Sequence, residues 1–296
     1  MIARMTAVVA ALLLGYVTVA PASANPGDPP GVLTVGGLQR IYFVHAPAGG
    51  APTGLVLNLH GSGMNGGDQA GLTGYNAVAD QYGFVVAYPD GIDLSWADGR
   101  GASVPDRQGI DDVGFLAALI DRLSADYAIP QGRVFVTGMS AGAFMANRLA
   151  CDRADLVAAI APVAGTLGPG VPCAPSRPVS VLAIHGTADP VVPYNGGGMV
   201  GRGGASDIIS APATAARWAA LDGCPGPLVV EPPAPGEIRR SVAGGCAGGT
   251  QVSLVSIDGG GHTWPAGRFA LPEAMVGPTS QGISASQASA QFFAAR

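Results

Sequence analysis

The sequence predicts an α/β fold, with a mainly parallel central sheet and helices on both faces. Three observations carry that prediction. Short apolar runs rich in Val, Ile, Leu and Phe alternate with amphipathic stretches, the pattern of repeated βα units. Those runs are apolar throughout, as strands buried on both faces must be. Finally, Gly138-Met139-Ser140-Ala141-Gly142 sits where one such run hands over to a helical stretch. With 296 residues, 48% of them hydrophobic and 12% charged, the chain buries a large core and needs no metal to fold.

The first residues read as a processing segment. Arg4 supplies the positive start, Ala7 to Ala20 the apolar run, and Ala22-Ser23-Ala24 an A-x-A cleavage pattern. The run is too short and too rich in Ala and Gly for a convincing membrane span, which weighs against an uncleaved anchor helix. Absence of a cysteine after the run weighs against a lipid anchor. Residues 1–24 are therefore assigned as a signal peptide cleaved near Ala24, and 25–296 as one catalytic domain of a secreted protein. No stable membrane anchor is expected after cleavage.

The elements follow in order. Asn25 to Gly31 is a Pro/Gly-rich start, and Arg40 to Val44 an early strand. Leu55 to Leu59 is a buried strand that ends at His60-Gly61-Ser62-Gly63. Thr73 to Gln81 reads as a helix, and Gly83 to Tyr88 as a strand stopped by Pro89-Asp90-Gly91. A polar loop runs from Ile92 to Gly109. In Asp111 to Tyr127, residues Val113, Leu116, Ile120, Leu123 and Tyr127 recur at helical spacing and give one apolar face. Asp111 and Asp112 stand at its start, where carboxylates cap amides and suit the helix dipole. Arg133 to Thr137 is the strand before Gly138, and Ala143 to Ala150 the helix after it. Leu156 to Val163, Val179 to Ile184 and Gln251 to Ile257 complete the strands, and Ala211 to Leu221 and Gly282 to Ala295 the helices. Pro225 to Gly249 reads as a hairpin excursion closed by its cysteines.

Composition excludes several chemistries. All 15 basic residues other than histidine are arginine. Without lysine there is no Walker A phosphate loop and no Schiff-base cofactor. A formal net charge of -5 offers no basic surface for nucleic acid. No cofactor is implied, and oligomeric state leaves no trace in the pattern. Cysteines Cys151, Cys173, Cys224 and Cys246 allow three disulfide pairings. Cys151–Cys173 with Cys224–Cys246 is the pairing in which each bridge closes a local loop. No C-x-x-C pair with a matching histidine pair supports a zinc site, and no other metal is expected.

The strand–G-x-S-x-G–helix context is the nucleophile elbow of the α/β-hydrolase fold, with Ser140 as nucleophile. A serine nucleophile needs a base and an orienting acid. The four histidines are His45, His60, His185 and His262, and in this fold the order is serine, acid, histidine. His185 ends an apolar strand, the place of a packed residue. His262 lies in the Gly-rich loop Gly259 to Pro265 after the last strand, where the fold presents its base. Asp189, just beyond the preceding strand, is the candidate acid. Asp207, Asp222 and Asp258 are rivals by order alone: the first two lie away from a strand end, and Asp258 stands too close to His262. For the oxyanion hole the backbone amides of Ala141 and Ser62 are the candidates.

Seven motifs occur in sequence: Leu59-His60-Gly61-Ser62-Gly63, Tyr88-Pro89-Asp90-Gly91, Trp96-Ala97-Asp98-Gly99-Arg100-Gly101, Asp111-Asp112-Val113-Gly114-Phe115, the elbow, His185-Gly186-Thr187-Ala188-Asp189 and Gly261-His262-Thr263-Trp264-Pro265. Together they resemble the secreted poly(3-hydroxybutyrate) depolymerase and feruloyl esterase group, related to carbohydrate esterase family 1. The resemblance covers nearly the whole mature chain. It implies the triad Ser140, Asp189 and His262, an oxyanion position at Ser62, and substrate-lining aromatics at Trp96 and Trp264. Many polymer depolymerases carry cysteine where this chain has Ser62, which weakens the polymer reading and not the hydrolase one. The expected activity is carboxylic ester hydrolysis through an acyl-enzyme. Its substrate would be a small-molecule or polymeric ester: feruloyl, acetyl-polysaccharide or hydroxyalkanoate. Acyl transfer to a sugar or alcohol by the same triad is the alternative. A non-enzymatic binding protein would be marked by loss of a triad member, and all three are in place.

Overall fold

The computed structural model describes residues 30–232, 237–269 and 271–296. The expected signal peptide and its cleavage site lie outside them. The strands are β1 (Gly31–Val35), β2 (Leu38–His45), β3 (Gly54–Leu59), β4 (Phe84–Pro89), β5 (Val134–Met139), β6 (Ala159–Val163), β7 (Ser180–Gly186), β8 (Gly197–Gly201), β9 (Gly204–Ile208), β10 (Val229–Val230), β11 (Ile238–Ala243) and β12 (Val252–Ile257). The helices are α1 (Gly66–Thr73), α2 (Tyr75–Tyr82), α3 (Val104–Gln108), α4 (Asp112–Asp126), α5 (Ala141–Asp152), α6 (Ala211–Leu221), α7 (Glu273–Val276) and α8 (Ala285–Ala294).

Among the described residues one 10-stranded sheet runs β1-β2-β4-β3-β5-β6-β7-β12-β11-β10. From β4 to β12 in that order neighbours are parallel, and antiparallel pairs close both ends. Strands β3, β4, β5, β6, β7 and β12 are buried along their whole length, as their uninterrupted apolar runs require. Successive residues of β7 serve opposite faces. Val181 and Ala183 pack with Leu116 and Leu123 of α4, Met145 and Leu149 of α5 and Trp218 of α6. Leu182 and Ile184 pack with Tyr75 and Ala79 of α2 and Phe293 of α8. The expected two-faced α/β architecture is therefore present, with the period-2 pleat dividing one strand between two cores.

Several elements differ from the sequence reading. Gly31, expected in a loose start, opens β1, which pairs antiparallel with β2. The helix expected over 73–81 is α2, starting two residues later, and an unanticipated helix, α1, precedes it; Gly74, with φ 57°, caps one and starts the next. The 92–109 loop carries α3, capped by the Ser103 side chain. Hairpin β8–β9 was not anticipated. The hairpin expected over 225–249 is present as the antiparallel pair β10–β11, but it also extends the sheet past β12 and so makes β12 internal. Arg239 and Arg240 give β11 no apolar run to read, because it lies near a sheet edge and is half-exposed. At α4, Asp111 caps as expected, accepting from Gly114 N at 2.7 Å. Asp112 does not: it is buried against Arg40 at 2.6 Å and accepts from Ala97 N at 2.7 Å. That pair ties the loop after β4 to α4.

Both disulfides have the local pairing, Cys151–Cys173 and Cys224–Cys246, with Cα–Cα distances of 4.6 and 3.9 Å. A loop of this length stabilises by roughly 3 kcal/mol in the chain-entropy account. The bonds fit an oxidising compartment. Among the described residues no helix is long and apolar enough to cross a membrane.

Asp222 lies fully buried beside the second disulfide. Its Oδ1 accepts from Val179 N at 3.0 Å, and its Oδ2 has no partner. Burial raises its pKa from 3.8 to about 6, against the opposing Val179 hydrogen bond. A carboxyl with a folded-state pKa above its unfolded one loses stability as pH rises from 3.8 through about 6. Asp222→Asn mimics the protonated form. Thermal unfolding should show it more stable than the parent chain above about pH 7, by up to roughly 3 kcal/mol, and equal to it near about pH 4.

Candidate active site

Ser140 stands between the end of β5 and the start of α5 with φ 55° and ψ −118°. That is strained backbone for a residue with a Cβ. The surroundings enforce it. Ser140 N donates to Val163 O at 3.0 Å, so β6 holds the turn. A Cβ on Gly138 would lie 2.7 Å from the Leu59 carbonyl oxygen, and one on Gly142 would run into the same carbonyl. Glycine at both positions lets α5 start directly against the end of β3. Any side chain there would push the helix off the sheet.

Asp189 follows β7 in a tight turn. Its Oδ1 accepts from Val191 N at 2.8 Å and Val192 N at 2.7 Å, and its Oδ2 accepts from His262 Nδ1 at 2.8 Å. Burial by itself would raise the Asp189 pKa. The hydrogen bonds and charges of His185 and His262 outweigh it and hold the carboxyl well below its ordinary range. His185 keeps the packing role its strand position suggested: it is buried and its Nε2 donates to Val192 O at 2.9 Å. His262 is set by its backbone, with Gly261 N bonded to Pro278 O and His262 N to Val276 O. The rival acids are engaged elsewhere. Asp258 pairs with Arg239 at 2.6 Å, Asp222 is buried under a disulfide, and Asp207 is exposed on β9.

The loop after β3 carries a feature that the motif alone did not show. His60 is fully buried, with Nδ1 2.8 Å from Gly61 O and Nε2 2.9 Å from Gly91 N. Gly91 N can only donate, so Nε2 accepts and the proton sits on Nδ1, donated to Gly61 O. In a trans peptide the C=O and the following N–H point in opposite directions. Fixing the Gly61 carbonyl on the His60 ring therefore aims the Ser62 N–H the other way. Ala141 N–H, in the first turn of α5, has no intrahelical partner and lies at the positive end of the helix dipole. Trp96 completes the support, its Nε1 donating to His60 O at 3.0 Å.

Ser140, His262, Ser62 and Ala141 all line one cavity of about 250 Å³. Among the hydrogen bonds of the described residues none joins the Ser140 hydroxyl to His262. The wall is apolar at Met64, Met139, Phe144 and Leu271 and polar at Arg100, Ser103 and Ser206. Hairpin β8–β9 contributes Met199, Gly201, Gly203 and Ser206 to it. The tip of the hairpin is held by Arg107 Nη1 donating to Gly203 O at 2.8 Å and by a hydrogen bond from Arg202 Nη1 to Asp93 O. The tryptophans expected to line the substrate are not on this wall. Trp96 is 0% exposed behind the 60–63 loop, and Trp264 is 1% exposed with Nε1 on Ser286 Oγ. Each indole N–H found a partner inside the protein; Trp96 lines neither cavity, whereas Trp264 borders the small adjoining one together with His262.

The fold and the strand–turn–helix elbow at Ser140 together define an α/β-hydrolase. More particularly, the chain matches the Esterase PHB depolymerase family over residues 41–212 and belongs to that family. NocK of Nocardia uniformis subsp. tsuyamanensis is 31% identical over 277 residues, 88% of this chain and 80% of that protein. Feruloyl esterase B of Piromyces equi is 34% identical across 61% of this chain and 34% of its own length. Acetyl xylan esterase from Aspergillus awamori has the same fold, with a TM-score of 0.59 over 79% of this chain and 94% of that one, at 18% identity. The chain is thus a carboxylic ester hydrolase, as the seven motifs implied.

His60 supplies a test. Burial lowers its pKa from 6.5 to about 4 despite the Gly61 hydrogen bond. The unfolded chain binds this proton more readily, so its contribution is present above pH 6.5 and is lost as pH falls toward about 4. The shift corresponds to roughly 3 kcal/mol. The unfolding midpoint should fall across that window, and His60→Gln should flatten the fall. If the Ser62 N–H is the oxyanion donor that the resemblance implies, the same variant should also lower kcat by about 10²-fold with a smaller change in KM.

Proposed function

We propose that Ser140, His262 and Asp189 form the catalytic triad of this esterase and that Ser62 N–H and Ala141 N–H form its oxyanion hole. The observation that carries the reading is the 2.8 Å bond from His262 Nδ1 to a buried, firmly ionised Asp189, beside a cavity that Ser140 also lines. With Nδ1–H donated to Asp189, the proton-free nitrogen of His262 is Nε2, the tautomer a general base needs. The backbone amides on Asp189 Oδ1 fix the carboxylate plane and with it the ring.

In the first half-reaction Ser140 Oγ attacks the ester carbonyl carbon and its proton passes to His262 Nε2. Charge gathers on the former carbonyl oxygen, where the two amides meet it. The C–O bond to the alcohol breaks, and the leaving oxygen takes the proton from His262. Water then attacks the acyl-enzyme, gives its proton to His262, and the acid departs as Ser140 regains a proton. The Ser140–His262 hydrogen bond belongs to the substrate-bound state, in which such contacts tighten.

For substrates, the cavity and the relatives favour an ester of a feruloyl or acetyl group on a polysaccharide, or of a short hydroxyalkanoate. The mixed wall, apolar at Met64, Phe144 and Leu271 and polar at Ser206 and Arg100, suits an acyl group of moderate size. Ser140→Ala should abolish turnover of a short aryl ester while circular dichroism and thermal unfolding stay as in the parent chain. Asp189→Asn should lower kcat by about 10⁴-fold by favouring the wrong tautomer. Parent-level turnover in either variant overturns the triad. Product analysis with added alcohol distinguishes hydrolysis from acyl transfer.

A further inference from the structure

The motif Trp96-Ala97-Asp98-Gly99-Arg100-Gly101 has no part in the steps above, yet it delivers a guanidinium to the same cavity. Arg100 lines the wall with its side chain only 8% exposed. Its orientation is over-determined. Nε donates to Asp98 Oδ1 at 2.9 Å and Nη2 to Asp98 Oδ2 at 2.8 Å, a fork on a carboxylate that is itself 2% exposed. Its Cζ lies 3.5 Å from the centre of the Phe144 ring. Nη1 reaches Ser206 Oγ at 3.1 Å and Met199 Sδ at 3.3 Å, both on the roof hairpin.

Hydrogen-bonding capacity remains at this end of the cavity. A thioether is a weak acceptor, so the Nη1 hydrogen aimed at Met199 is open to a better one. Nη2 uses one hydrogen on Asp98 and keeps a second. The Ser206 hydroxyl accepts from Arg100 and still has its own proton to give. Charge decides what kind of group can use these donors. Arg100 is already neutralised by Asp98, so an incoming carboxylate would bury a second anion on one cation, which is costly. An uncharged hydroxyl or ether oxygen carries no such penalty.

Position decides which part of the ester it is. His262 must reach the leaving oxygen. It borders the apolar arm where Met64, Met139 and Leu271 also line a small adjoining cavity with Phe269. Arg100, Phe144, Met199 and Ser206 line the main cavity and not that arm. We propose that Arg100, held by Asp98, is the specificity-determining residue that recognises an uncharged oxygen at the far end of the acyl group. Phe144 and Met199 then flank the carbon skeleton. The assignment rests on the catalytic reading above, which places the leaving group at His262.

The test compares methyl 4-hydroxycinnamate with methyl cinnamate, two esters that differ by one oxygen on the acyl group. The parent enzyme should prefer the hydroxylated ester by about tenfold or more in kcat/KM, the scale of a hydrogen bond to a charged donor. Ser206→Ala and Arg100→Lys should bring the two esters close to parity, mostly through KM for the hydroxylated one. Lysine keeps a cation beside Asp98 and so protects the fold. Equal losses on both esters would make Arg100 a support for the hairpin only and overturn the proposal. So would a parent enzyme with no preference between them. Turnover of p-nitrophenyl acetate with neither cinnamate accepted would overturn the acyl assignment and leave the triad standing. Loss of the triad reading shows separately, as parent-level turnover by Ser140→Ala.

Discussion

The site depends on one close approach, that of the start of α5 against the carbonyl of Leu59 at the end of β3. No atom larger than hydrogen fits on Gly142 at that crossing, and Gly138 is held nearly as tightly. The contact forces the positive φ of Ser140 and lifts its side chain clear of the sheet. It also brings the loop after β3 alongside, so that a Cβ on Gly61 would lie 3.6 Å from Ser140 Cβ. The Ser140 turn and the 60–63 loop are neighbours because two backbones touch. The parallel register of β3 with β5, Leu59 opposite Gly138, sets their relative height.

Around that crossing, three buried histidines are used in three ways by their surroundings. His60 is sealed from water and bonded through both nitrogens, so it remains neutral and acts as a strut for the Gly61 peptide. His185 is pinned to Val192 O beneath the acid turn. His262 alone lines the cavity while its other face is bonded to a carboxylate. Burial and partners, rather than residue type, separate a support from a candidate base. In the same way Asp189 is kept ionised by its donors while Asp222, with one donor and an orphan oxygen, is pushed toward its neutral form.

A chain without lysine places its cations on planar, forked side chains. Arg40 and Arg100 are buried on carboxylates that fix the loops between β4 and α4, and Arg107 and Arg202 hold the roof hairpin to that region. Arg100 matches its carboxylate at two points, so that pair fixes an orientation as well as a distance. The cavity walls are loops, and such pairs let loops hold a defined shape.

Local pattern was enough for everything that depends on short range. Uninterrupted apolar runs located the central strands, and the order of Ser140, Asp189 and His262 along strand ends picked out residues that the fold brings together, with His262 bonded to Asp189 and sharing a cavity with Ser140. Of the three pairings that four cysteines allow, the structure has the one in which each bridge closes a local loop. Tertiary structure alone decided the rest. It moved Trp96 from the cleft to the core, because the partner of its indole N–H, the His60 carbonyl, comes from a distant segment. It found β11 next to the sheet edge and the β8–β9 roof, whose half-exposed residues carry no apolar period. It also assigned His60 and Arg100 their places, since hydrogen bonds to Gly91 and Ser206 span intervals that no window of sequence covers. Strands announce themselves by the water they must exclude; the groups that shape a polar cleft are chosen by neighbours that only the folded chain supplies.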